Sequence, residues 1–215
     1  MTATQRQNII DRHVENGVII PCADGIIIGE DVTIGAGTLV YPGTILPGQV
    51  TIGQDCIVGP NSILHNCTVG DRVTLNNVQA EDSEIGDNCK IGPWVRLRPG
   101  TKIGAGVRIG NFVELKNAQL GEGTKVAHLS YIGDATLGQN VNVGCGLAVA
   151  NYDGKSKHYS TIDDDAFIGC NNIIVSPVHV GKNAYTAAGS VITEDVPAGK
   201  LAIARARQVN KERKQ

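Results

Sequence analysis

Aliphatic residues recur at every sixth position along most of the chain. The first run contains Ile28, Ile34, Val40, Leu46, Ile52, Val58 and Leu64. Later runs resume after occasional shorter steps and reach Val180. Neither an α-helix nor an alternating strand has a period of six, whereas a hexapeptide β-helix does. The pattern therefore predicts an all-β fold in which three hexads close one triangular coil, with roughly nine coils between residues 28 and 192.

The position two places before the aliphatic residue of each hexad is often small or β-branched, and we expect it to point inward as well. Cys56, Cys67 and Cys89 occupy this position, where a thiol behaves as a small hydrophobic group. None of the six cysteines forms a CxxC pair. The sequence therefore predicts reduced structural cysteines, with neither disulfides nor a zinc site.

Three segments interrupt the repeat and suggest the organisation of the chain. Residues 1–20 read as a short helical linker that Gly17 ends, and residues 21–199 as the β-helix domain, from which the polar residues 150–161 should loop out. Residues 200–215 form an extended basic C-terminal tail, which is either a frayed solvated end or an anion-binding arm. Its cations are Lys200, Arg205, Arg207, Lys211, Arg213 and Lys214, against one acid, Glu212.

The composition of the chain argues against two classes of function, nucleic-acid binding and membrane insertion. Hydrophobic residues make up 41% of the chain and aromatic residues only 4%, which suits a column filled with aliphatic side chains. The formal net charge of −2 argues against a nucleic-acid partner, because such proteins normally carry a basic face. No apolar run approaches the ~20 residues that span a bilayer, and the N-terminus lacks the apolar core of a signal peptide. We expect a cytoplasmic protein with no membrane partner.

Long stretches of the chain are more specific than the hexad: GPWVRLRPGT, IGNFVELKNAQLGEGTKVAHLSYIGDA, NYDGKSKH, AAGSVITEDVP and LAIARARQ. Through them the chain resembles the C-terminal half of bacterial bifunctional N-acetylglucosamine-1-phosphate uridyltransferase/glucosamine-1-phosphate N-acetyltransferase. The resemblance implies a left-handed β-helix and a homotrimer with active sites between subunits. It also implies acetyl transfer from acetyl-CoA, the co-substrate, to glucosamine 1-phosphate, an amino sugar phosphate, for UDP-N-acetylglucosamine and cell-wall synthesis. The family's nucleotidyltransferase domain is absent from this sequence, so uridylyl transfer is not expected.

Acetyl transfer to an amine needs a base that frees the nitrogen lone pair, and histidine suits this near neutral pH. Of five histidines, the resemblance assigns His128, in KVAHLSY, as the catalytic base, with Glu114 as a group that could orient it. An anionic sugar phosphate requires cations, and a guanidinium suits phosphate oxygens. The substrate-binding residues that the resemblance implies are Arg98, Lys116, Tyr131, Asn142 and Lys157.

For acetyl-CoA the resemblance implies binding by Cys145, Asn151, Tyr152, Cys170, Ala188 and Arg205. A nucleophilic role for either cysteine has no support, because direct transfer between two bound substrates already exploits proximity. Leu147 and Val149 depart from the family, where hydroxyl residues are usual. We expect them to add bulk beside the thioester, and three explanations stay open: a pocket retuned for another substrate, weakened activity, or neutral drift.

Two other functions compete with the leading one. The chain could acylate a different amino sugar, or it could be a catalytically silent trimer that scaffolds a separate nucleotidyltransferase. Metal-dependent carbonic anhydrases share the hexapeptide fold, but they need three ligating histidines, and no such set has suitable spacing here, so we expect no metal. Whether the chain is a natural short protein or part of a longer one is also open.

Overall fold

The computed structural model describes residues 1–213, which form a left-handed parallel β-helix preceded by one α-helix. Lys214, which belongs to the predicted basic tail, lies outside the described residues. Every pair of named strands is parallel, and the strands form the three walls of a triangular column. The first wall stacks ten strands, close to the number of coils that the period predicts. The predicted fold class and the N-terminal helix are confirmed.

The strands are numbered along the chain and are described wall by wall. The first wall contains β1 (Ile27–Ile28), β4 (Ile45–Leu46), β7 (Ile63–Val69), β9 (Val78–Ile85), β11 (Val95–Leu97), β14 (Val113–Leu120), β16 (Ser130–Leu137), β18 (Ala148–Ala150), β21 (Ile173–Val175) and β24 (Val191–Ile192). The long strands β7, β9, β14 and β16 continue onto the second wall, which also contains β2 (Val32–Ile34), β5 (Val50–Ile52), β12 (Thr101–Ile103), β19 (Ser160–Ile162) and β22 (His179–Val180). The third wall contains β3 (Leu39–Val40), β6 (Ile57–Val58), β8 (Thr74–Leu75), β10 (Lys90–Ile91), β13 (Arg108–Ile109), β15 (Lys125–Val126), β17 (Asn142–Val143), β20 (Phe167–Ile168), β23 (Tyr185–Thr186) and β25 (Leu201–Ala202).

The interior of the column is a continuous aliphatic stack. The hexad residues point inward on all three walls, and Leu46, Leu64, Leu115 and Ile132 are completely buried. Side chains alternate along each short strand, so the residues on either side of an inward one face outward. This alternation decides which residues can line an external site.

Three cysteines fill the small inward position that the hexad predicts. Cys56, Cys67 and Cys89 are each at most 2% exposed. Burial raises the pKa of all three thiols, and it raises the pKa of Cys89 to about 11. They are structural residues with very little thiolate at neutral pH. All six cysteines are free thiols.

The helix α1 (Ala3–Glu15) covers the N-terminal end of the column. Its first turn is closed by a capping box between Thr2 and Gln5. Asn16 caps its C-terminus, and Gly17 follows at a φ of 87°, as the sequence predicts. The helix buries Ile9, Ile10 and His13.

The turns between walls mostly use Gly, Asn or Asp in left-handed conformations. On the edge between the third and first walls, three successive turns instead carry bulky residues at positive φ: Trp94, Phe112 and Leu129. Such residues rarely adopt this conformation. All three are more than half exposed, and the Trp94 and Phe112 rings stack with centroids 5.2 Å apart. This edge, called the reactive edge below, also carries His128.

Two segments leave the coil stack. A loop between Asn151 and Tyr159 folds back on itself through an antiparallel bridge between Tyr152 and Lys157. Beyond Ala202 the described part of the tail has no strand and is exposed, so its proposed role in anion binding stays a prediction. Within residues 1–213 no helix is long and apolar enough to cross a membrane.

Candidate functional site

Four of the predicted site residues form one row along the reactive edge. His128, Cys145, Cys170 and Ala188 occupy equivalent positions in successive coils, and backbone hydrogen bonds between neighbouring coils fix this alignment. The donors and acceptors are Gly146 N and His128 O (3.3 Å), Asn171 N and Cys145 O (2.6 Å), and Gly189 N and Cys170 O (2.8 Å). Because parallel strands are about 4.8 Å apart, the row is a regular track parallel to the column axis. Arg205 follows Ala204, whose carbonyl accepts a hydrogen bond from Val191 on the preceding coil (3.0 Å).

The imidazole of His128 is exposed on this edge. Its backbone carbonyl accepts hydrogen bonds from Ser130 Oγ (3.1 Å) and from Gly146 N, which hold the turn in place. The suggested partner Glu114 instead pairs with Arg98, whose Nη1 lies 2.9 Å from Glu114 Oε1. Within one chain, therefore, Glu114 positions Arg98 rather than the imidazole.

Three predicted phosphate ligands come together on the outer face of the first wall. Arg98 and Lys116 lie on neighbouring coils, since Arg98 N donates to the carbonyl of Leu115 at 2.9 Å. The folded-back loop brings Lys157 to the same place. The Lys157 ammonium, with a further contribution from Arg98, lowers the pKa of Lys116. A shared cluster of cations is unfavourable by itself, and it is a good site for an anion.

A gap in this wall brings two further predicted residues together. Gly133 is aligned with Lys116 on the next strand, and it has no side chain to project outward. The Tyr131 hydroxyl and the Asn151 amide both lie over it, because a Cβ atom at Gly133 would clash with the hydroxyl and lie 2.9 Å from Asn151 Nδ2. Tyr131 and Asn151 thus meet the cation cluster at one point, which places Asn151, predicted above as an acetyl-CoA ligand, on the acceptor side of the site.

Asn142 lies apart from this group. It belongs to β17 on the third wall, in register with Lys125 and Phe167. Tyr131 belongs to β16 on the first wall, in register with Glu114 and Ala148. Outward-facing residues on two walls of a triangular column point in different directions, so one chain does not turn Asn142 and Tyr131 toward the same point.

The expectation for Leu147 and Val149 was wrong. Their side chains are only 1% and 2% exposed and belong to the aliphatic core. Both positions face inward by strand alternation, so neither side chain can add bulk beside an external thioester. The substitutions change the packing of the column, and the observation that suggested a retuned pocket disappears.

Sequence reasoning missed three residues that organise the site: Gly133, Asp134 and Asn117. Asp134 accepts hydrogen bonds from Asn117 Nδ2 (2.7 Å) and from Asn151 Nδ2. The matched stretch SYIGDA contains Gly133 and Asp134, but Asp and Asn occur in many turns of this chain, and nothing local distinguishes this one. Across residues 1–213, no group of three His, Cys, Asp or Glu side chains is arranged to hold a metal ion.

Comparison with known proteins agrees with the hexapeptide repeat. The model for bacterial transferase hexapeptide (six repeats) matches residues 31–64, 82–117 and 159–194. A second model, the hexapeptide repeat of succinyl-transferase, matches residues 15–42. The chain belongs to the hexapeptide-repeat transferase family. A hexapeptide-repeat transferase builds its fold from the coil described above, and the matched segments span all three walls.

Curated relatives of this hexapeptide-repeat transferase carry the name Bifunctional protein GlmU. The protein from Geobacillus sp. (strain WCH70) is 53% identical over 207 residues, which cover 96% of this chain and 45% of the relative. The one from Brevibacillus brevis is 50% identical over 209 residues, or 97% of this chain and 45% of the relative. The chain thus spans less than half the length of these relatives. A solved structure, Francisella novicida UDP-N-acetylglucosamine acyltransferase, covers 86% of this chain and 67% of its own, at 18% identity and a TM-score of 0.45.

Proposed function

We propose that this chain is an N-acetyltransferase that moves the acetyl group of acetyl-CoA to the amine of glucosamine 1-phosphate, giving N-acetylglucosamine 1-phosphate. The observation that carries the proposal is the convergence of Arg98, Lys116 and Lys157 on the wall beside an exposed histidine edge. The relatives named Bifunctional protein GlmU, about half identical over almost all of this chain, support the same assignment.

The acceptor is held by its phosphate. The Arg98 guanidinium can donate two parallel hydrogen bonds to phosphate oxygens, while Lys116 and Lys157 supply point charges. Glu114 keeps Arg98 in one orientation at 2.9 Å. Tyr131, over the gap at Gly133, donates to the sugar. These contacts fix the position of the amine relative to the reactive edge.

His128 acts as the general base. The acceptor reacts as its neutral amine, whose nitrogen lone pair attacks the carbonyl carbon of the thioester, and the His128 imidazole takes the proton that this nitrogen loses as it is acylated. The new C–N bond forms as the C–S bond breaks, and the proton held by His128 returns to the departing CoA sulfur. No covalent enzyme intermediate is needed, because the two substrates are held side by side.

Acetyl-CoA lies along the reactive edge. Its thioester is next to His128, and its chain extends past Cys145, Cys170 and Ala188 toward Arg205, whose cation suits a phosphate. The track is built from small side chains, which leaves the backbone accessible to an extended ligand. Tyr152, more than half exposed, lies in the loop that leaves the first wall at Asn151, and it remains a predicted acetyl-CoA ligand. We place the reaction in the cytoplasm, a reducing compartment compatible with six free thiols.

The active unit is a homotrimer. Asn142 on the third wall and Tyr131 on the first wall face in different directions within one column, so a ligand that contacts both needs the third wall of a second copy. A closed threefold ring provides three such interfaces. Each cleft then combines the cation cluster of one copy with Asn142 of the next.

Release of CoA thiol from acetyl-CoA in the presence of glucosamine 1-phosphate tests the activity. His128→Ala should lower the rate by about 10²–10⁴-fold, the usual contribution of a general base. His179→Ala, which removes an exposed histidine of the second wall, should leave the rate unchanged. Full activity of His128→Ala would remove His128 from the mechanism, and no thiol release by the unaltered chain would remove the proposed reaction.

Mixed assemblies test the shared site. Lys116→Ala and Asn142→Ala variants should each be impaired alone. Co-expression should restore part of the activity, because some interfaces then join an intact Lys116 to an intact Asn142. Absence of any recovery, or a monomer in light scattering, would contradict a site formed between copies.

A further inference from the structure

A buried carboxylate lies directly behind the cation cluster. Asp134, at a turn with a φ of 49°, is 8% exposed. A buried carboxylate is costly unless its oxygens are hydrogen-bonded, and both oxygens here are. Oδ1 accepts from Asn117 Nδ2 at 2.7 Å, and Oδ2 accepts from Asn151 Nδ2.

The two amides link Asp134 to opposite sides of the acceptor site. Asn117 follows Lys116 on the preceding coil. Asn151 directly follows β18 of the next coil and begins the loop that carries Lys157. The base of this loop is closed by a hydrogen bond from His158 N to Asn151 O (2.8 Å). The carboxylate of Asp134 therefore connects the strand that holds one cation to the loop that supplies another.

The same contact orients the Asn151 side chain. Because Nδ2 donates to Asp134, the amide oxygen of Asn151 is directed away from the carboxylate and is free to accept from a ligand. Tyr131 lies over Gly133 beside this amide. The negative charge also acts on Lys116: against the lowering of its pKa by Lys157, Asp134 raises it. Asp134 thus favours both a fixed amide and a protonated lysine.

We propose that Asp134 is a positioning residue of the acceptor site, which holds Asn151 and the Asn151–Tyr159 loop in the arrangement that binds the amino sugar phosphate. The proposal rests on the proposed function. Asp134 acts through Asn151 and Lys116 and does not contact the substrate. Its loss should therefore weaken acceptor binding, with a smaller effect on the chemical step and none on the donor.

Asp134→Asn tests this, because it keeps the size of the side chain and removes its charge and one acceptor. Asp82→Asn is the matched control: Asp82 also lies at a turn, with a φ of 44°, and accepts from an asparagine amide, Asn66 Nδ2 at 3.1 Å. It is exposed and is not connected to Asn151. The KM values for glucosamine 1-phosphate and acetyl-CoA, kcat and thermal unfolding are measured for both variants.

Asp134→Asn should raise the acceptor KM by about tenfold or more. The site depends on exact orientation, so even a small displacement of Asn151 and its loop weakens their contacts with the substrate. The acetyl-CoA KM should not change. The rise of the acceptor KM at alkaline pH should begin at a lower pH, because Lys116 loses its neighbouring carboxylate. Asp82→Asn should change none of these values. An unaltered acceptor KM in Asp134→Asn would overturn the proposal, as would an equal change for both substrates.

Two further results keep the test decisive. If Asp134→Asn does not fold, Asn117→Ser serves instead, because it weakens the hydrogen bond to Asp134 Oδ1 and keeps the charge of the carboxylate. Asn117→Ser should give a smaller rise of the acceptor KM. An unchanged acceptor KM in this variant would overturn the proposal. Failure of the proposed function is separate, since the unaltered chain would then not acetylate glucosamine 1-phosphate at all.

Discussion

Arg98 and Glu114 lie on neighbouring coils of the first wall, and their side chains form an ion pair of 2.9 Å at the edge of the acceptor site. Each side chain is about one third exposed, so solvent screens the pair and its contribution to stability is small. Its value is geometric: Glu114 restricts a long side chain that would otherwise sample many rotamers.

Glu114→Ala should therefore raise the acceptor KM several-fold and leave the free energy of unfolding within about 0.5 kcal/mol of the original. Steady-state kinetics and urea unfolding measure the two effects. Glu84→Ala, which breaks the exposed pair between Lys102 and Glu84 (2.8 Å) on another wall, should change neither. A large loss of stability in Glu114→Ala would mean that the pair is structural.

The pH dependence of acceptor binding should reflect Lys116. Because Lys157 lowers the pKa of Lys116, the ammonium form is lost at a lower pH than for an ordinary lysine, and the acceptor KM rises earlier on the alkaline side. Lys157→Met removes the neighbouring charge and moves the pKa of Lys116 back up. The alkaline rise should then begin at a higher pH, although the KM at neutral pH is larger because one cation is gone.

Lys155→Met is the control for that measurement, since Lys155 is an exposed lysine of the same loop. It should leave the pH profile unchanged. The same shift in both variants would indicate a general effect of the loop charge rather than contact between Lys157 and Lys116.

Gly133→Ala should damage the site while preserving the column. The added methyl group would collide with the Tyr131 hydroxyl and approach Asn151 Nδ2 to 2.9 Å, and both groups would have to move. We expect a fall in kcat/KM of roughly tenfold to a hundredfold, with a nearly unchanged thermal midpoint. Normal kinetics would show that Tyr131 and Asn151 do not act from this position.

Leu147→Thr and Val149→Thr should destabilise the protein instead of changing its substrate preference. Both side chains are in the dry core, where a hydroxyl group without a partner costs about 1–3 kcal/mol. Urea unfolding should show lower midpoints, while the ratio of rates with acetyl-CoA and propionyl-CoA stays constant. A change in that ratio at unchanged stability would restore the idea of a retuned pocket.

The six thiols should react at very different rates. Cys22 and Cys170 are exposed, whereas burial raises the pKa of Cys56, Cys67 and Cys89. The thiolate is the reactive form, so an aromatic disulfide reagent at pH 8 should label the exposed pair first and the buried three only after unfolding. Cys22→Ser and Cys170→Ser should each remove part of the fast phase. Rapid native labelling of Cys89 would contradict the packing described here.

The buried core of this protein can be predicted from its sequence because the same six-residue pattern recurs in successive coils. A coil places an aliphatic residue inward at each sixth position, so Leu115 and Ile132 could be assigned to the core without any homologue. The prediction for Leu147 and Val149 was wrong because it considered the type of each residue and not the direction in which its side chain points. Val149 is itself a hexad residue, and Leu147 precedes it by two, so both point inward.

The site was less predictable, because it depends on distances between coils of unequal length. The loop that carries Lys157 back to Lys116 adds residues that have no period, and its path cannot be counted from the hexads. Asp134 and Asp82 look alike in sequence, as each occupies a left-handed turn before a small residue. Only the position of Asn151 in the next coil distinguishes them.

The row from His128 to Arg205 advances along the column by a fixed step. Each coil advances the reactive edge by one strand spacing, about 4.8 Å, and no fractional step is available to a hydrogen-bonded column. Inserting or deleting a complete coil between Cys170 and Ala188 would move Arg205 by one strand spacing relative to His128. In the site proposed above, the separation of the histidine and the arginine therefore changes only by whole coils.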